Sequence, residues 1–234
     1  MPIRRTVVRA LFATVLGLAP SAAWAVEVLV EDWTRSSLGA TGVPSGWTAY
    51  ATLGGRPRYD FTVVEEDGRR ALHLKSHDDH STIAREVAVD LNVTPILEWS
   101  WKVVKFPEGA DIRHRETSDL TAHLFAVWPR PPAWLRSRLI GHGWDERLPA
   151  HTIERSRKSS AVAFVIVRSG AADLDRWLTE RCDVREEYQR VFGEAPDNPR
   201  AVAISIDTND THSTAEAYIG RIAFTSSASP SQPK

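Results

Sequence analysis

Alternation with a period of two is the dominant pattern along the chain, and it predicts strands. Between Ile96 and Val104, Leu97, Trp99, Trp101 and Val103 fall on one face, while Glu98, Ser100 and Lys102 fall on the other. Phe61 to Glu65 and Ala71 to Lys75 flank Asp67-Gly68, a pair that accepts positive φ, and read as a hairpin. From Leu120 to Trp128, Leu120, Ala122, Leu124 and Ala126 alternate with Thr121, His123, Phe125 and Val127. Ala161 to Val167 is an unbroken apolar run, as in a strand buried on both faces. Val26 to Glu31, Ala201 to Ile206 and Ala217 to Thr225 complete the set, and Gly220 marks a bulge or a close backbone approach in the last.

Two segments carry helical signals. Ala133 to Ile140 follows Pro131-Pro132 and stops at Gly141. Asp183 to Phe192 opens on a capping residue with Glu186 three positions on. It places Val184, Tyr188 and Val191 on one stripe and ends at Gly193, with Pro196 beyond. Many short strands with one or two short helices predict an all-β fold, an antiparallel β-sandwich of the jelly-roll, galactose-binding-like kind.

Composition excludes whole classes. Of 234 residues, 42% are hydrophobic and 25% charged, enough to bury a core and inconsistent with wholesale disorder. Lys and Arg total 29 against 30 Asp and Glu, so no basic excess exists to hold nucleic acid. The N-terminus reads as an address. Arg4, Arg5 and Arg9 precede a short apolar run from Ala10 to Leu18, then Pro20 and the small-x-small pattern Ala23-Trp24-Ala25. That run is too short for a permanent span. The expectation is a signal peptide over residues 1–25 cleaved after Ala25, a single sandwich domain over 26–225, and a polar disordered tail over 226–234. The mature protein is then periplasmic or secreted, without a transmembrane segment. Three Arg and no acid leave with the signal, taking the net charge from −1 to −4. Cys182 is the only cysteine, so no intramolecular disulfide is available, and a buried thiol is expected.

Candidate chemistry is scattered. Asp207-Thr208-Asn209-Asp210-Thr211 follows a strand and reads either as a hard-cation site, with Ca²⁺ on Asp207, Asn209 and Asp210, or as a polar turn. An EF-hand is excluded, since His212 and Tyr218 stand where that loop needs Gly and Glu. His73, His77 and His80 with Asp78 and Asp79 form the densest metal-capable run, but their spacing matches no standard zinc site and reads as a surface loop. Asp119 and His123, four apart, are placed on one face of a strand about 13 Å apart, with Thr121 between them. No serine-nucleophile elbow, P-loop or dinucleotide fingerprint occurs. Glu98, Glu116, Asp119, Asp145 and Asp207 are available as a carboxylate pair. Of nine Trp, Trp99 and Trp101 are assigned to the core. Trp128, Trp134 and Trp144 bracket a Pro- and Arg-rich excursion over 128–151, either as a stacking platform or as anchors.

The order of several segments resembles a bacterial secreted family known as domain of unknown function 3047. They are Trp33, Pro44-Ser45-Gly46-Trp47, the run from Leu97 to Val103, Asp119 to Val127, Gly143-Trp144, Trp177, Tyr188 to Glu194, Asp207 to Thr211, and Tyr218 to Phe224. The family pattern has two Asp before the central strand and an Arg within it, where this chain has Ser118-Asp119 and His123. The opening aromatic segment and the final strand are also similar to the ends of galactose-binding-type jelly rolls. The resemblance implies location and fold rather than an activity.

The resulting expectation is non-catalytic binding of a glycan or another envelope component. The ligand-binding residues would be Asp119, His123, Trp128, Trp134, Trp144, Asp207, Asn209 and Asp210, with no cofactor beyond the Ca²⁺ option. The alternatives are a glycan-cleaving enzyme on the same scaffold and a structural envelope protein.

Overall fold

In the computed structural model, residues 26–50, 57–131 and 137–227 are described. They contain strands β1 (Glu27–Glu31), β2 (Thr48–Ala49), β3 (Phe61–Glu66), β4 (Arg69–His77), β5 (His80–Glu86), β6 (Ile96–Lys105), β7 (His123–Trp128), β8 (Arg138–Asp145), β9 (Ile153–Arg155), β10 (Val162–Ser169), β11 (Leu178–Asp183), β12 (Ala201–Asp207) and β13 (Thr214–Thr225). One α-helix, α1 (Val184–Phe192), and a single 3-10 turn at Arg115–Thr117 interrupt them.

The strands form two sheets packed as a sandwich. The smaller runs β11-β6-β13-β4-β3, with β1 pairing on β13; the larger runs β2-β5-β12-β7-β8-β10-β9. The alternating face of β6 decides the packing. Leu97, Trp99, Trp101 and Val103 are fully buried and meet Leu124, Ala126, Ile140, Trp144, Val202 and Ile204 of the larger sheet in one apolar core. All sheet pairs are antiparallel except β8 with β10, which run parallel. β10 carries the unbroken apolar run, and both its faces are indeed covered: Ala163 and Val165 join the main core, and Phe164 and Ile166 a second cluster on the outer face of the larger sheet.

Local chemistry sets the turns. Asp67 (φ 52°) and Gly68 (φ 73°) close the β3–β4 hairpin. Gly220 satisfies both halves of its reading. The β6–β13 register shifts between Ile219 and Ile222, and a Cβ at Gly220 would lie 2.3 Å from Ser100 Oγ. Its carbonyl also accepts the Trp33 indole N–H at 2.8 Å. Asp183 caps α1 by accepting from the amides of Arg185 and Glu186, and Gly193 ends it in the left-handed region. Val184, Tyr188 and Val191 are buried as their stripe requires.

The structure differs from the sequence reading in three places. The helix expected over Ala133 to Ile140 is not formed at its C-terminal part, because Arg138 to Ile140 open β8. Gly141 is not a stop but a strand residue, and the run Ile140, His142, Trp144 alternates with Gly141 and Gly143. The strand expected from Leu120 begins only at His123, so Asp119 precedes it and does not share its face. In the His-rich run His73 lies in a strand and the chain turns at Asp78 and Asp79, but the run is not a surface loop, because it forms the β4–β5 hairpin. Within it Asp79 is buried, holding the Arg58 amide and the Ser81 hydroxyl. The predicted signal segment, Trp134 and residues 228–234 of the predicted tail lie outside the described residues. Among the described residues, no helix is long and apolar enough to cross a membrane.

Candidate ligand-binding site

Two polar regions sit at opposite ends of the larger sheet. The first gathers most of the residues singled out in the sequence. Thr82, Ser205 and His123 pair across β5, β12 and β7, and His80 pairs with Asp207 in the next row. His80 Nε2 lies 3.1 Å from Thr82 Oγ1 and 3.3 Å from Ser205 Oγ. Asp119, just before β7, accepts the amides of Asp210 (3.1 Å) and Thr211 (2.7 Å) and the Thr211 hydroxyl (2.6 Å). Asp207, at the end of β12, accepts the Leu120 amide at 2.6 Å. Each carboxylate thus holds the segment carrying the other. Asp210 is paired with Lys158 from the β9–β10 connection.

Electrostatics follow from burial. Desolvation, then the charge of Asp119, raises the Asp207 carboxyl well above the usual carboxylate range. Burial, with Lys158 adding to it, lowers the His80 imidazole. Burial pushes His123 down to about 4. The His123 Nδ1 faces the Thr121 carbonyl at 2.9 Å, so that nitrogen carries the hydrogen. Among the described residues, the Thr121 hydroxyl and the Asn209 side-chain oxygen are buried without a partner. Of the residues considered for Ca²⁺, Asp207 is therefore directed to Leu120 and Asp210 to Lys158, while Asn209 offers an uncommitted oxygen.

Trp128 and Trp144 are elsewhere. Trp128 and Trp144 are 1% and 0% exposed, with their indole N–H groups on the carbonyls of Asp197 and Gly170. They present no ring to solvent and anchor the segment to the core. Burial on the apolar side of the sheet, a consequence of the β8 register, decides between the two readings of these residues. Cys182 is buried, as expected. Burial and the Glu187 carboxylate push its thiol up, away from nucleophilic use.

The second region was not legible as a site. Arg130, Ser137, Arg138, Arg155, Ser160, Ala161 and Phe192 line a hollow of about 410 Å³. Its residues come from the connection after β7, the start of β8, the end of β9, the approach to β10 and the last turn of α1. Phe192 stands between two guanidinium groups, Arg138 at 4.6 Å and Arg155 at 5.6 Å from the ring centre. The Tyr188 hydroxyl accepts from Arg130 at 2.9 Å and Arg138 at 2.7 Å. Glu194 faces Arg130 and Arg138, and Asp197 pairs with Arg130, but both acids are half-exposed or more. Among the described residues, Arg155 donates only to the Val191 carbonyl at the helix C-terminus. Only the Arg-rich character of the 128–151 excursion hinted at this region. The first end and this one are separated by the length of β7, about 17 Å. Of the residues read in the sequence as one binding face, Asp119, His123, Asp207, Asn209 and Asp210 lie at the first end, and none that is described lines the hollow.

Fold and hollow together define a β-sandwich with an arginine-lined depression at one end of its larger sheet. The chain belongs to the family described as Protein of unknown function (DUF3047), whose model matches residues 45–223. No functionally curated protein matches it in sequence. Among solved structures it is similar to the family 11 carbohydrate-binding module of the cellulase Lic26A-Cel5E of Clostridium thermocellum, with 9% identity and a TM-score of 0.44 over 90% of this chain and 100% of that one. It is also similar to the xyloglucanase domain of NopAA from Sinorhizobium fredii, with 10% identity and a TM-score of 0.44 over 81% and 98% of the two chains. A third is a cellulase derived from Cel12A of Rhodothermus marinus, with 9% identity and a TM-score of 0.44 over 86% and 99%. Likeness at this level assigns no function.

Proposed function

We propose that the protein binds a glycan without cleaving it, and that the hollow between β8, β9 and α1 takes an acidic sugar. The observation that carries this reading is the convergence of Arg130, Arg138 and Arg155 on one depression of about 410 Å³ beside the Phe192 ring and two serine hydroxyls. Guanidinium groups match a carboxylate in plane and in donor spacing, and an aromatic ring offers a face for a sugar. Stacking on Phe192 holds two of the guanidiniums ready, which lowers the ordering cost of binding. Glu194 and Asp197 stand at the exposed side, where an incoming carboxylate replaces them. In this reading the protein acts outside the cytoplasm, as the N-terminal segment predicts.

A glycan-cleaving role is the second reading, and one observation favours it: burial, then the neighbouring Asp119, raises the Asp207 carboxyl well above the usual carboxylate range, the direction an acid catalyst needs. Against it, Asp119 is committed to Asp210 and Thr211 and Asp207 to Leu120, so both carboxyls serve the loop. A panel of immobilised oligosaccharides with and without carboxylates, combined with a reducing-end assay, separates the readings. Retention on acidic sugars without new reducing ends is expected. New reducing ends abolished in Asp207→Asn establish the second reading, and no retention on any glycan overturns both.

A further inference from the structure

Three elements, two of them consecutive in the chain, each send one metal-capable side chain to the same point in the core. His142 comes from β8 of the larger sheet, Cys182 from β11 of the smaller, and Glu187 from α1. Their ligand atoms all lie within 4.8 Å of one another. The three residues are 0%, 8% and 4% exposed. Neither the fold nor the glycan reading uses them.

The same contacts suit a bound cation. His142 Nδ1 faces the Leu124 carbonyl at 3.3 Å, and with the hydrogen on Nδ1 the Nε2 presents its lone pair to the cluster. That Nε2 lies 2.6 Å from Glu187 Oε2. A lone pair and a carboxylate oxygen at that distance need a proton or a metal ion between them. A backbone carbonyl on the far nitrogen is also how proteins orient a ligating imidazole. Among the described residues Glu187 has no Lys or Arg partner; its ion pair is with His142 alone.

Donor set, spacing and charge agree. A tetrahedral zinc ion with ligands at 2.0–2.3 Å sets its donors about 3.4 Å apart, so the His142–Glu187 pair opens by less than about 1 Å to admit it. One carboxylate, one thiolate and one neutral imidazole around a divalent ion sum to zero charge, the state a low-dielectric core tolerates best. A thiolate ligand selects zinc or a similar transition metal over Ca²⁺ or Mg²⁺. Trp99 packs on the His142 ring at 5.5 Å and helps to keep the cluster dry.

We propose that His142, Cys182 and Glu187 hold a divalent transition metal, with zinc the best fit, as a structural clamp joining both sheets to α1. A buried site of this kind loads as the chain folds. The test is refolding of the full chain with cobalt(II), with zinc, or with a chelator. The expected result is one cobalt per chain, a thiolate-to-cobalt charge-transfer band, intense tetrahedral d–d bands, and a melting midpoint roughly 5 °C or more above the chelated sample. The bands disappear in Cys182→Ser, which keeps the size of the side chain. The proposal is overturned if the unmodified chain folds equally well with and without cobalt, binds less than half an equivalent, and shows no charge-transfer band. This readout is independent of glycan binding.

Discussion

Asp119 grips Thr211 twice, through the backbone amide at 2.7 Å and the hydroxyl at 2.6 Å of the same residue. Asp119 is fully buried, so its removal leaves donors without an acceptor in a dry setting. Asp119→Ala is expected to cost about 2–4 kcal/mol in urea unfolding. It is also expected to speed amide exchange at Asp210 and Thr211 selectively. Uniform exchange across the larger sheet would show that the contact is not what holds this loop.

Acid should weaken the fold through His123. Its imidazole sits at about 4 in the fold against 6.5 free, so the unfolded chain takes a proton more readily. This contribution is intact above pH 6.5 and is lost as pH falls through the folded value, on the order of 3 kcal/mol in full. His80 shifts in the same direction, so His123→Gln should remove part of the loss. Unfolding midpoints across the acid range check this; a variant with the unchanged slope contradicts it.

Asp207 has the opposite sign. Its folded value is raised, so its contribution is present below the unfolded value of 3.8 and is lost as pH rises through the folded one. Asp207→Asn imitates the protonated form and keeps the acceptor for Leu120. It should therefore stabilise the protein at about pH 8 relative to the parent and make little difference at about pH 3. Calorimetric melting at the two pH values reads the difference directly.

Much of this architecture was legible because alternation and punctuation are local. The β6 face, the β3–β4 turn, the bulge at Gly220 and both ends of α1 follow from residues within a few positions of one another. What was missed depends on partners far along the chain. Ile140, His142 and Trp144 alternate as a strand only because Gly141 and Gly143 leave room for Phe125, Phe164 and Leu120. The arginine-lined hollow is assembled from residues 130 to 192, and the three residues at the core cluster lie on β8, β11 and α1. Asp119 and Asp207 were recognised individually, but that each supports the other's loop is a fact of tertiary structure.

Gly141 offers a sharp test of the outer face. Ala84, Ala203, Phe125, Gly141 and Phe164 form one cross-strand row. A Cβ at 141 would come within 2.7 Å of the Phe125 ring and 2.9 Å of the Phe164 ring. Gly141→Ala should cost about 1–3 kcal/mol, and Phe164→Leu in the same chain should recover part of it. A neutral Gly141→Ala in urea unfolding would mean that the two rings move aside freely.

The most direct measurement of the glycan-binding claim is calorimetric titration of the protein with an oligomer of uronic acid and with a neutral oligomer of the same linkage. The same pair is titrated into Arg155→Gln, whose parent side chain donates to the Val191 carbonyl and stacks on Phe192. The account predicts binding of the uronate, weakening with salt, a loss of about tenfold or more in the variant, and an intact ligand afterwards. Equal affinity for the neutral oligomer, or an unchanged affinity in Arg155→Gln, would contradict it.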